Sequence, residues 1–147
     1  MRHKEAFQET QFVVFSIHNE LYSFSIAEVV EILRVPEVTE VPGIHEVIEG
    51  VINLRGAIIP IVNLHKRLQI ERPAPTKKNR IVIVQGQGEH IGLMVEEVRM
   101  VTHFDEQDVE PTPGKQLEED LFMKFAKMDG QIIGILNLHK LLYGFEK

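Results

Sequence analysis

Residues 53–68 (NLRGAIIPIVNLHKRL) return as residues 127–142 (KMDGQIIGILNLHKLL), with nine of sixteen positions identical at a spacing of 74. The block Asn63-Leu64-His65-Lys66 recurs unchanged as Asn137-Leu138-His139-Lys140. A weaker echo joins residues 12–32 to residues 81–101 at a spacing of 69. There the apolar positions match (Phe12/Ile81, Val14/Ile83, Tyr22/Ile91, Phe24/Leu93), together with Glu20/Glu89 and Glu28/Glu97. The two spacings differ by 5, which places an insertion in the acidic loop of the second half. The whole chain, residues 1–147, is about one domain in length. It therefore reads as one domain made of two similar lobes, approximately 11–72 and 79–143, with strands that can cross over at the ends. A lobe of roughly 65 residues is marginal alone, so the two are expected to share an apolar seam.

Alternating apolar residues mark the strands. Phe12, Val14, Phe15 and Ile17 form one, and Tyr22, Phe24 and Ile26 its partner across His18-Asn19-Glu20. Residues 81–84 and 91–95 repeat the hairpin across residues 85–89 (QGQGE). Residues 27–33 suit a short helix or turn that returns to strand. Residues 63–68 and 137–142 read as single helical turns with an Asn N-cap. Residues 71–80 (ERPAPTKKNR) read as a linker, stiffened by two prolines and solvated by its cations. Residues 105–120 read as a long acidic loop. Each lobe then holds about five short strands and a terminal helical turn, and small sheets of this kind close into barrels because closure removes exposed edges.

The chemistry-bearing residues form no catalytic set. There is no cysteine, so disulfides, thiolate metal sites and a cysteine nucleophile are excluded. Seven histidines occur without metal-ligand spacing, and His65 and His139 read as a duplicated surface position. The three serines lie within strand patterns, away from any nucleophile elbow. Phosphate-binding glycine motifs are missing, and carboxylate pairs such as Glu96-Glu97 and Glu118-Glu119 point apart or lie in loops. No metal, cofactor or catalytic residue is expected. The net charge of -6 disfavours nucleic acid as a partner. The polar start, residues 1–11, lacks the apolar core of a signal peptide, and no apolar run is long enough to span a membrane. A cytoplasmic protein without direct membrane insertion is expected.

Two positions in the repeat invite a functional reading. The second copy places Asp129-Gly130 at its hairpin turn, a favoured type I′ pair. The first copy places Arg55-Gly56 there. Arginine has no turn propensity of that kind. Arg55 is either a solvated turn cation or an arginine held by a carboxylate, with Glu31 the candidate, and presented to a partner. Gly50 is either an ordinary turn glycine at a strand start or a flat backbone patch where a partner docks. Two similar but non-equivalent lobes suit a bridging adaptor. A small-molecule-binding β-barrel is the alternative, and would require a cavity with convergent polar groups.

Glu49-Gly50-Val51-Ile52-Asn53-Leu54-Arg55-Gly56, followed by Ile58-Ile59-Pro60-Ile61-Val62-Asn63-Leu64, resembles the N-L-R-G motif of CheW-type chemotaxis coupling proteins. Residues 11–34 and 121–142 resemble that family's opening and closing segments, so the likeness covers nearly the whole chain. It implies a mainly β fold of two SH3-like five-stranded barrels with short helical segments and no catalytic activity. It also implies an adaptor that links the cytoplasmic tip of methyl-accepting chemoreceptors to the regulatory domain of the histidine kinase CheA, recruited to membrane-associated receptor arrays. Val29, Glu31, Gly50, Asn53, Leu54, Arg55 and Gly56 match the family pattern and are the implied receptor-binding residues. The kinase-binding residues are not identified by the motif. Asn63 stands where many members carry Asp, so a carboxylate role there does not transfer.

Overall fold

The computed structural model of the chain describes residues 10–111 and 121–144. The first nine residues with His3, the distal part of the acidic loop and Glu118-Glu119 lie outside the described residues. Among the described residues, eleven strands form two sheets. One sheet has six strands in the order β8-β1-β2-β11-β10-β9, and the other has five in the order β3-β6-β7-β5-β4. The strands are β1 (Phe12–Ile17), β2 (Glu20–Ser25), β3 (Val29–Arg34), β4 (Ile48–Leu54), β5 (Ala57–Val62) and β6 (Arg80–Gln85). They continue with β7 (His90–Val95), β8 (Glu97–Thr102), β9 (Val109–Pro111), β10 (Phe122–Met128) and β11 (Gln131–Leu136). Two short helices, α1 (Leu64–Leu68) and α2 (Leu138–Tyr143), follow β5 and β11. The expected mainly β fold with short helical segments is what the chain adopts.

The compact units do not follow the halves of the repeat. One gathers residues up to 27 and those from 99 onward, and the other spans 28–98. Relative to the approximate lobes 11–72 and 79–143, expected with strands that can cross over at their ends, the leading hairpin of each half, β1-β2 or β6-β7, lies in the unit that holds the rest of the other half. The first unit joins the hairpin β1-β2 from one half of the chain to β10-β11 from the other. Its junction is a parallel pairing of β2 with β11, with Tyr22 opposite Gly134. The second unit joins β4-β5 to β6-β7 through a parallel pairing of β5 with β7, with Ile61 opposite Gly92. A 3-10 turn at Ile26–Glu28 carries the chain out of β2 and into β3, which pairs with β6. Repeat-equivalent strands thus occupy equivalent places in the two sheets, although each sheet draws on both halves.

Each unit has its own core. In the first, Phe12, Val14, Leu21, Phe104, Ala126, Ile133 and Ile135 cluster, with Phe12 and Phe104 ring centroids 5.0 Å apart. In the second, Ile52, Ile59, Ile61, Ile81, Ile83 and Met94 cluster, and Leu33, Val38 and Leu54 pack against them. Strand β1 is buried at every position rather than at alternate ones. Removing this apolar surface from water is the main term favouring the fold.

The helical turns start as the Asn residues predict. The Asn63 side chain accepts from the Lys66 N–H at 3.1 Å, and the Asn137 side chain accepts from the Lys140 N–H at 3.2 Å. Both Asn backbones are also anchored: the N–H of Asn63 donates to the carbonyl of Val47, and that of Asn137 to the carbonyl of Leu121, each at 2.7 Å. Asn63→Ala or Asn137→Ala is expected to lower stability by about 1 kcal/mol each, measured by urea denaturation. A loss of only a few tenths in both variants would show that the caps contribute little here.

Candidate functional site

Asn53-Leu54-Arg55-Gly56 closes the hairpin β4-β5, and each residue has a distinct local task. The Asn53 side-chain oxygen accepts from the Gly56 N–H at 3.0 Å and braces the turn. Leu54 is half-buried against the core of its unit. Arg55 and Gly56 both take left-handed backbone, with φ of 50° and 89°. Asp129 and Gly130 match them at 52° and 77°. The shared glycine supplies positive φ at no steric cost, and Asp tolerates the first position. Arginine at that position is conformationally unfavourable, so local backbone preference does not explain it.

The contact of Arg55 does explain it. Its guanidinium meets the Glu31 carboxylate in a two-pronged bond, at 2.6 Å and 3.3 Å. Glu31 lies on β3, which ends the sheet order opposite β4. The pair therefore links the two ends of the sheet order. Arg55 remains largely open to solvent, with its side chain 69% exposed against 29% for Glu31. The hydrogen bonds from Arg55 hold the Glu31 carboxyl below its ordinary range, and those same bonds raise the Arg55 guanidinium. A carboxyl with a lowered pKa keeps its pairing above the ordinary carboxylate range and loses it as pH falls through the lowered value. Carboxyl-carbon NMR is expected to show Glu31 titrating below the usual value of about 4.3, and Arg55→Ala should return it there. A wild-type titration at the usual value would mean the pair does not persist in solution.

The remaining motif residues separate. Val29 is half-buried at the start of β3, opposite Val84. Gly50 is not at a strand start; it is the third residue of β4 and is buried. An added Cβ there would lie 2.3 Å from the carbonyl oxygen of Thr39, whose backbone exchanges hydrogen bonds with Val51. Close approach of another segment of this chain accounts for the glycine. The structure thus brings Glu31 and Arg55 together, with Asn53, Leu54 and Gly56 building the turn. It leaves Val29 and Gly50 outside that contact.

Sequence reasoning missed several residues. His65 is not a surface position: it is 2% exposed, and its Nε2 lies 2.7 Å from a Glu96 oxygen. Only His139 of the repeat pair is exposed. Glu96 stands beyond the repeated block, so the identity of that block concealed the difference. Arg72, within the expected linker, makes a two-pronged bond to Glu49 at 2.7 Å and 2.9 Å. Ile58 and Ile132, equivalent in the repeat, are 63% and 65% exposed. Strand alternation could have exposed them, since neighbouring Ile59 and Ile133 face the cores. Val30 and Ile32 add exposed apolar surface on β3. Among the described residues, no group of three metal-ligating side chains occurs. No helix among them is long and apolar enough to cross a membrane.

Comparison with known proteins gives one consistent likeness. Residues 11–146 match the model of the CheW-like domain family. The chain is 30% identical to a chemotaxis protein CheW of Bacillus subtilis, over 88% of this chain and 85% of that one. It is 32% identical to the protein PilI of Pseudomonas aeruginosa, over 69% of this chain and 57% of that one. A solved structure, the scaffolding protein TtCheW of Thermoanaerobacter tengcongensis, superposes with a TM-score of 0.84 at 39% identity. That superposition covers 94% of this chain and 88% of the other.

Proposed function

The chain belongs to the CheW-like domain family, a family of non-catalytic scaffolds, and from that premise we propose that it serves as an adaptor in bacterial chemotaxis signalling. In this reading it links the cytoplasmic tip of methyl-accepting chemoreceptors to the regulatory domain of the histidine kinase CheA and helps to control the kinase. It works in the cytoplasm and is recruited to membrane-associated receptor arrays.

The observation that carries the reading is Arg55. It occupies a turn position that disfavours it, it is oriented by Glu31, and most of its surface faces solvent. A guanidinium fixed in this way keeps unused donors for a partner's carboxylate or carbonyl groups at little entropic cost. Val30, Ile32 and Ile58 supply exposed apolar surface on the same sheet, and exposed apolar side chains and arginine are both common in docking surfaces. Val29, Glu31, Asn53, Leu54, Arg55 and Gly56 form or support the receptor-facing surface in this reading. Gly50 contributes by letting the Thr39 segment pack.

Co-sedimentation with receptor-containing membranes, with and without the kinase, tests it. The protein is expected in the pellet with receptors alone and to increase the kinase recovered there. Protein that joins neither receptors nor kinase would remove the adaptor reading.

A further inference from the structure

We propose that the unit spanning residues 28–98 carries a second site, a cleft that binds a small amphipathic organic anion. The proposal does not depend on the adaptor reading. The cleft has a volume of about 430 Å³, within the range of metabolite-sized pockets. Val35, Val38, Met94 and Val95 give it an apolar lining, and residues 72–77 form another part of its wall.

That wall is tied down at both ends. Arg72 is bonded to Glu49 through both guanidinium nitrogens, which raises its already high pKa. At the other end the Asn79 side-chain amide donates to the Glu96 carbonyl at 3.0 Å. The cleft is therefore bounded by fixed walls, and a ligand meets a preformed site.

Its charges select the sign of the ligand. The Glu49 carboxylate is engaged by Arg72, and the Glu96 carboxylate by His65. Arg34 and Lys77 also line the cleft, and among the described residues neither side chain has a hydrogen bond or ion pair. With Glu49 paired to Arg72, the two cations Arg34 and Lys77 outnumber Glu96 among the remaining charged side chains of the lining. They attract an anion placed over the apolar lining.

His65 braces one edge of the cleft. The ring is a lining residue and is buried. An ionised carboxylate only accepts hydrogen bonds, so the ring nitrogen that faces Glu96, Nε2, carries a proton.

Anilinonaphthalene sulfonate combines aromatic rings with a sulfonate, and serves as the probe. Titration of the nitrogen-15-labelled full chain is expected to give one saturable site, with amide shifts centred on Val35, Val38, Thr76 and Met94. The His65 ring-nitrogen signals should move at saturation. The exposed double variant Arg34→Glu/Lys77→Glu should weaken the dye about tenfold with the free spectrum otherwise retained. Naphthylmethylammonium, an aryl cation, should leave the cleft signals in place. Non-saturable shifts, shifts centred on Ile58 or Ile132, a His65 ring that does not respond, or unchanged affinity in the double variant would each overturn the assignment.

Discussion

Gly50→Ala is expected to destabilise the chain by roughly 2–3 kcal/mol, which for a chain of this length lowers Tm by about 5–10 °C. The added Cβ would stand 2.3 Å from the Thr39 carbonyl oxygen and 2.9 Å from its carbonyl carbon. Both are backbone atoms, so no side-chain rotation relieves the clash. The Thr39 segment must move away, and its two hydrogen bonds with Val51, at 2.8 Å and 2.9 Å, stretch with it. Gly56→Ala makes an instructive contrast. Nothing lies within 4 Å of a Cβ there, and the only obstacle is a φ of 89°. That change should cost roughly 1 kcal/mol, through backbone conformation alone. Urea denaturation of both variants checks the order. A Gly50→Ala protein as stable as wild type would show that the Thr39 segment yields, and would restore the docking-patch account of this glycine.

Arg55→Ala is expected to weaken receptor binding by roughly thirtyfold or more, the scale of an interface hot spot, while Tm stays near the wild-type value. The fold tolerates the loss because the pair is exposed and isolated pairs of that kind contribute little to stability. Binding is expected not to tolerate it, because partner groups that meet the guanidinium in the proposed complex would be left unpaired. Arg55→Lys is expected to recover only part of the loss, since an ammonium cannot hold Glu31 in the two-pronged geometry and still present donors outward. Arg55→Asn separates turn from docking. Asn suits left-handed backbone, so this variant should be as stable as wild type or more so, yet bind as poorly as Arg55→Ala. Receptor pull-down and thermal denaturation read the two effects. Unchanged pull-down in Arg55→Ala would remove Arg55 from the docking surface.

Much of this was legible before any coordinates. Asn63 and Asn137 announce helix starts because a short polar side chain can bond the free N–H groups of the first turn, a local matter. Gly56 and Gly130 announce hairpins for an equally local reason. The pairing of Arg55 with Glu31 was legible as a candidate, since an arginine in a turn that prefers Asp needs a reason from outside the turn. The burial of His65 was not legible. The block Asn63-Leu64-His65-Lys66 is identical to that around exposed His139, and the partner of His65, Glu96, lies 31 residues away, outside the block.

The sequence by itself determined the strands, the capped helical turns, the duplication and the absence of cysteine chemistry, because short-range pattern and composition settle those. The tertiary structure alone decided which strands share a sheet. The sequence predicts approximate lobes 11–72 and 79–143 with strands that can cross over at the ends, and leaves open which strands cross. β2 pairs with β11 and β5 with β7, so that each unit is assembled from both copies. Two hairpins of like pattern can satisfy the same backbone hydrogen bonds with either copy as neighbour. Nothing in a strand's own residues records that choice; it is made by long-range packing of the two cores.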